Sequence, residues 1–156
     1  MLQERNITNI LIGIAIAIEL GIDIENIVKN VANIIKADES RRYVVPSAPG
    51  KRYAKDTKVT DMLYAAYDIA ESKDAEKKID AAINDIKARY NEIIEGLGLK
   101  LSLDDEFAKI RENFLKKAGK DYAASRGEYL NGIIMAAYLG FEFIDAAEVI
   151  KFNDEG

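Results

Sequence analysis

Between Ile10 and Ile18 the chain is almost unbroken by polar residues. Ile10, Leu11, Ile12, Ile14, Ile16 and Ile18 leave no clear polar face. That predicts a buried helix over Asn6 to Leu20, capped by Thr8 or Asn9 and closed at Gly21. The same β-branched alternation suits a strand, so period alone leaves both readings open. Beyond it the pattern turns amphipathic. Ile24, Ile27, Val28, Val31, Ile34 and Ile35 share one face of a second helix, from Asp23 to about Asp38. A third runs from Thr57 or Lys58 to Glu71, with Val59, Met62, Leu63, Ala66 and Ile69 or Ala70 inward. The stretch from Asp74 to Leu97 repeats Ile79, Ala82, Ile83, Ile86, Tyr90, Ile93 and Ile94 at helical spacing, and Gly96 and Gly98 end it. Ser102 caps the next helix, which continues to about Lys117. Asp104, Asp105 and Glu106 fill its first turn, where the helix dipole favours negative charge. A sixth helix spans Tyr122 to Leu139 and closes at Gly140; within it Gly127 and Gly132 allow another backbone close approach.

Two short segments break this pattern. Tyr43-Val44-Val45 is the strongest strand signal, ended by Pro46, which cannot donate to a ladder. Phe141 to Asp145 alternates as a second strand, and Ala146 to Phe152 reads as a turn or short helix. Long helices between strands imply parallel pairing through crossovers. The expected fold is therefore α/β, predominantly helical, with a small parallel sheet built from strands near 43–46 and 141–145. Tyr64, Tyr67, Tyr90 and Tyr138 are read as core or rim. With 156 residues, 49% of them hydrophobic, one domain over 1–156 can bury a core without disulfides, leaving 153–156 as a polar tail.

Composition narrows the chemistry. The chain has neither Cys nor His. A thiol nucleophile, a cysteine–zinc site and the commonest general base are excluded, and chemistry falls to carboxylates, Lys, Arg, hydroxyls, backbone amides or hard cations. A net charge of −5 argues against nucleic acid as partner, because phosphate contacts need a basic face. No carboxylate spacing suggests a metal site. The apolar run is too short to span a bilayer and no secretory signal is evident, so a cytoplasmic protein without membrane association is expected.

Three places can carry chemistry. "SAPGKR", Ser47 to Arg52, is a small-residue turn with two positive charges. It lacks P-loop spacing. Lys51 and Arg52 either contact an anion or are merely hydrated. Thr57 to Asp61 opens a helix whose free amides can receive a carboxylate or phosphate, and Thr60 sits there either as a ligand contact or as an ordinary first-turn residue. In "SRGE", Ser125 to Glu128, the carboxylate of Glu128 either holds a substrate ammonium or simply complements the dipole. Asp145, at a strand end, is either near a ligand site or a helix cap.

In chain order, "RRYVVPSAPGKR", "DTKVTDMLY" and "SRGEYLNGIIMAAYLGFEFIDAAEVI" resemble the aspartokinases of the amino-acid kinase superfamily. The likeness runs from about residue 35 to 152 and identifies the chain with the N-terminal part of the catalytic domain, within a three-layer amino-acid-kinase-like fold. The family transfers the γ-phosphoryl group of ATP, with Mg, to the side-chain carboxylate of L-aspartate. The resemblance implies substrate-binding roles. Ser47 lies in the strand-end loop bordering the site, Thr60 matches the helix-start Thr that contacts aspartate, and Glu128 matches the Glu that binds its amino group. Arg126 occupies a variable position.

Departures from the family shape the expectation. The strand and glycine turn resembling "KFGGSS" that hold the phosphates are absent, and the sequence ends before the nucleotide half. No catalytic residue is assigned, no cofactor is expected on this chain, and L-aspartate is expected to bind weakly. The quoted loop is expected to keep its turn shape but to be more mobile than in a complete kinase. Residues 6–30, "NITNILIGIAIAIELGIDIENIVKN", resemble a Mur ligase helix pair, which gives residues 1–34 a different apparent origin. The alternative reading is an engineered or chimeric helical protein without biochemical function. A homodimer is compatible with either reading.

Overall fold

A computed structural model describes residues 24–41 and 43–151 of the chain. The expected helix over 6–20 lies outside the described residues. The others form where the apolar period places them: α1 (Ile24–Lys36), α2 (Val59–Ala70), α3 (Ala75–Gly96), α4 (Asp104–Leu115) and α5 (Lys120–Leu139), followed by the short α6 (Ala146–Val149). None of them is long and apolar enough to cross a membrane.

Helix α2 is the centre of the assembly. Most of its contacts are with α3 and α5, and it also touches α4. Its composition explains the position. Val59, Leu63 and Ala66 fall on one face and are fully buried, and Tyr67 and Ala70 continue that face. Helix α3 contributes Ile79, Ile83, Ile86, Tyr90, Ile93 and Ile94, and α5 contributes Ala123, Leu130, Ile134, Met135 and Leu139. Each large aliphatic side chain removed from water in this way contributes about 1.5–3 kcal/mol. Of the tyrosines read as core or rim, Tyr67 and Tyr90 are buried and Tyr64 and Tyr138 half-buried.

Aromatic contacts and turns set how the helices meet. The Phe114 ring lies edge-on to Tyr67 at 5.5 Å and to Tyr122 at 6.2 Å. The Tyr67 hydroxyl accepts a hydrogen bond from the Gly119 amide at 3.0 Å. Gly119 has φ 103°, a conformation open to glycine but costly for other residues, and there the chain turns from α4 into α5. Leu103 is the N-cap of α4, and one residue ahead of it the Ser102 hydroxyl accepts from the Asp104 amide at 3.1 Å. Gly140, with φ 74°, closes α5.

The expected small parallel sheet is not formed among the described residues. Among the described residues no strand is present, and 43–46 and 141–145 have no ladder hydrogen bonds. Exposure nonetheless alternates along the first segment. Tyr43 and Val45 are 90% and 89% exposed, while Val44 packs against the core. The side-chain period of a strand is there without a neighbour to complete it. A strand is defined by inter-strand pairing, which no local pattern can supply. Asp145 takes the capping role, its carboxylate accepting from the Ala147 amide at 3.0 Å at the start of α6.

Candidate functional site

The sequence-predicted residues come from three segments: the loop of residues 47–58, the first turn of α2 and the middle of α5. Helices α2 and α5 pack directly on each other. The loop closes against both. Its inner end passes so near α5 that a Cβ on Gly127 would lie 2.6 Å from the Cβ of Ala48, inside any tolerable contact. Gly127 is therefore required here for close approach, as the small-residue pattern suggested.

Four hydrogen bonds set the backbone around this crossing. The Asn131 amide donates to the Ser47 carbonyl at 2.6 Å. The Ala48 N–H points at the Glu128 carboxylate, 3.4 Å away. The Val59 amide, first in α2, donates to the Pro49 carbonyl at 3.3 Å. The Tyr90 hydroxyl donates to the Gly127 carbonyl at 2.8 Å. Burial, followed by the negative charge of Glu128, pushes the Tyr90 phenol far above its ordinary range, so it stays a neutral donor.

These contacts bring the Ser47–Ala48 turn against Glu128 and join the same loop to the start of α2, where Thr60 is half-buried. Ser47 and Glu128 are exposed to solvent. One α2 amide, that of Val59, already has a carbonyl partner. An incoming anion would have to meet the later amides of the first turn.

The two cations of the SAPGKR turn differ. Lys51 is exposed. Arg52 is bound to carboxylates: its Nε lies 3.0 Å from Asp56 Oδ2 and its Nη1 2.8 Å from Glu92 Oε2. Asp56 in turn meets Arg89, at 2.6 Å between Nη1 and Oδ2, with both side chains under a tenth exposed. Arg89 also donates to the carbonyls of Gly50 at 2.9 Å and Thr57 at 3.3 Å. The Arg52 hydrogen bonds, aided by the amides of Arg52 and Thr57 and the charge of Arg89, hold the Asp56 carboxyl well below the usual carboxylate range. Burial, then repulsion from Arg52, pulls Arg89 below its ordinary value, but a guanidinium remains charged.

Arg89, Tyr90 and Asn131 were not singled out as site residues by the sequence. One signal was present for Arg89. It sits three residues after Ile86 and four before Ile93, inside the apolar stripe of α3, where a charged side chain has no solvent and needs a partner. The loop is tied at its Ser47, Gly50 and Thr57 carbonyls. A surface hollow lined by Asn91, Ile94, Glu95, Leu99, Lys100 and Ser102, among others, contains none of the predicted residues.

Arg126 faces elsewhere. Its guanidinium lies 4.5 Å from the ring centroids of both Tyr122 and Tyr129, a stacked arrangement on the flank of α5. The Tyr129 hydroxyl donates to Glu106 at 2.9 Å, which ties the same flank to α4.

No family model matches the chain. Among curated proteins it is similar to aspartokinase 3 of Bacillus subtilis (strain 168), 31% identical over 129 residues, which is 81% of this chain and 28% of that protein. That share is more than residues 35–156 contain, so the match extends N-terminal of residue 35. Among solved structures it is similar to the aspartate kinase of Clostridium acetobutylicum, described as an important allosteric enzyme for industrial amino acids production. There the identity is 45% and the TM-score 0.74, over 85% of this chain and 30% of that one. The chain thus spans less than a third of the length of the relatives it matches. In sequence and in fold alike, it is an aspartokinase-like chain that corresponds to one part of those longer enzymes.

Proposed function

We propose that Ser47, Thr60 and Glu128 form part of an L-aspartate subsite, the amino-acid half of an aspartokinase reaction. The observation that carries this reading is the meeting of Glu128 with the Ser47–Ala48 turn, 3.4 Å from the Ala48 amide, beside the helix start that bears Thr60. L-aspartate presents one ammonium and two carboxylates. The exposed Glu128 carboxylate suits the ammonium. The positive end of α2, with the Thr60 hydroxyl and the amides that follow Val59, suits a carboxylate. Ser47 supplies a hydroxyl on the turn that meets Glu128. Of the two SAPGKR cations, Lys51 is the one left to draw an anion in, since Arg52 is already paired.

The family reaction also needs a nucleotide and Mg. Among the described residues no group of three or more acidic side chains is gathered in a way that could hold a metal ion. Phosphoryl transfer depends on cations and amides arranged around the phosphates. We therefore take this chain alone to bind aspartate weakly and to transfer no phosphoryl group.

We infer in addition that the segments 43–46 and 141–145 run parallel. The turn at 47–48 lies against 127–131 of α5, and Phe143 packs on Tyr129 at 5.3 Å between centroids, close to Gly132. Both segments descend α5 from its C-terminal end, which favours 43–46 and 141–145 as parallel neighbours once paired.

Titration of the isotope-labelled chain with L-aspartate, followed by NMR, tests the subsite. Shifts should centre on Ser47, Thr60 and Glu128, with a dissociation constant of about millimolar or weaker, worth about 4 kcal/mol. Glu128→Ala should abolish them. Shifts that centre elsewhere, or survive that substitution, would defeat the reading.

A further inference from the structure

We propose that Arg89 is the positioning residue of this site: it touches no ligand, and it sets the conformation of the 47–58 loop from beneath. The inference rests on the aspartate reading above only for what the loop serves. A guanidinium is planar and offers five donors in a fixed fork. Arg89 directs that fork at three acceptors of one loop: the Asp56 carboxylate and the carbonyls of Gly50 and Thr57. Gly50 and Thr57 bracket the turn, so a single side chain ties both of its ends to α3. The charge is 5% exposed, and a charge so buried is tolerated only when paired and hydrogen-bonded.

The consequence reaches the site through the backbone. On one side of Gly50 lie Pro49, which accepts from the first amide of α2, and Ala48, whose amide faces Glu128. On the other side of Thr57 begins the turn that presents Thr60. Holding Gly50 and Thr57 therefore sets both the turn that meets Glu128 and the start of α2 at once. The outer pair, Arg52 with Glu92, lies in solvent, with Glu92 53% exposed, and adds little to this.

Arg89→Lys separates charge from fork geometry. A lysine keeps the positive charge opposite Asp56 but cannot reach three acceptors in one plane. In the full chain, hydrogen exchange at the Arg52, Asp56 and Val59 amides should quicken by about tenfold or more, while amides in the core of α5 near Ile134 change far less. The L-aspartate dissociation constant should rise by about the same factor. Asp56→Asn, which removes the partner and keeps the arginine, should loosen the same three amides. Glu92→Gln, which breaks only the outer pair, should leave them within about twofold. Unchanged loop exchange in Arg89→Lys and Asp56→Asn would overturn the proposal, as would a loosened loop that binds L-aspartate as the parent does. If the parent shows no L-aspartate shifts, the aspartate reading fails by itself, and the exchange measurements still decide whether Arg89 holds the loop.

Discussion

Ala48 and Gly127 meet so closely that the methyl of one occupies the space a methyl on the other would need, 2.6 Å from the ideal Cβ position. This contact seats the loop on α5 and brings the Ala48 amide to Glu128.

Gly127→Ala should therefore destabilise the chain although alanine favours helix. The helical gain is about 1 kcal/mol. Forcing two methyl carbons apart costs about 1–3 kcal/mol, so the net effect is a loss of up to about 2 kcal/mol. Chemical denaturation measures it, and a variant at least as stable as the parent would show that the loop yields freely. L-aspartate shifts at Ser47 should weaken in the same variant.

Tyr90→Phe removes the hydroxyl that donates to the Gly127 carbonyl and should cost about 1 kcal/mol. The same phenol predicts a pH dependence. Its folded pKa is raised, so its contribution is fully present below the unfolded value of about 10 and is lost as pH rises beyond it. Stability measured from pH 9 upward should fall less steeply in Tyr90→Phe than in the parent. Parallel alkaline profiles would contradict a buried, neutral Tyr90.

Asp56→Asn should cost about 3 kcal/mol, because it leaves Arg89 buried without its carboxylate. The acid side follows from the lowered pKa of Asp56. Its contribution is present above the unfolded value of about 4 and is lost as pH falls through the folded one. Acid titration of stability should be flatter in Asp56→Asn than in the parent. Equal slopes below pH 4 would mean that Asp56 is not held as a buried anion.

With ATP, Mg and L-aspartate, the purified chain should form no aspartyl phosphate. Trapping the acyl phosphate with hydroxylamine checks this. Product that disappears in Glu128→Ala would show that the chain carries more of the reaction than its aspartate half.

The helices and their inward faces were legible in the sequence because helical order is local. Ile79, Ile83, Ile86, Tyr90 and Ile93 repeat at the period that the backbone itself imposes, and they are buried. Gly127 was legible too, since a glycine inside a helix announces a close approach, though not to which residue. The motif around Thr60 and Glu128 was visible as a resemblance, and the helices that bear the two residues do pack together. Other features depended on partners far away in the chain. A strand at 43–46 needs a ladder, and alternation of Tyr43, Val44 and Val45 cannot say whether one exists. The fate of Arg52 depended on Glu92, forty residues on, as well as on nearby Asp56. Arg89 sat in an apolar stripe where periodicity asked for another hydrophobic residue. Only the tertiary structure placed Asp56 and two loop carbonyls against it, because pairing a buried charge is a property of the assembled helices and not of the segment that carries it.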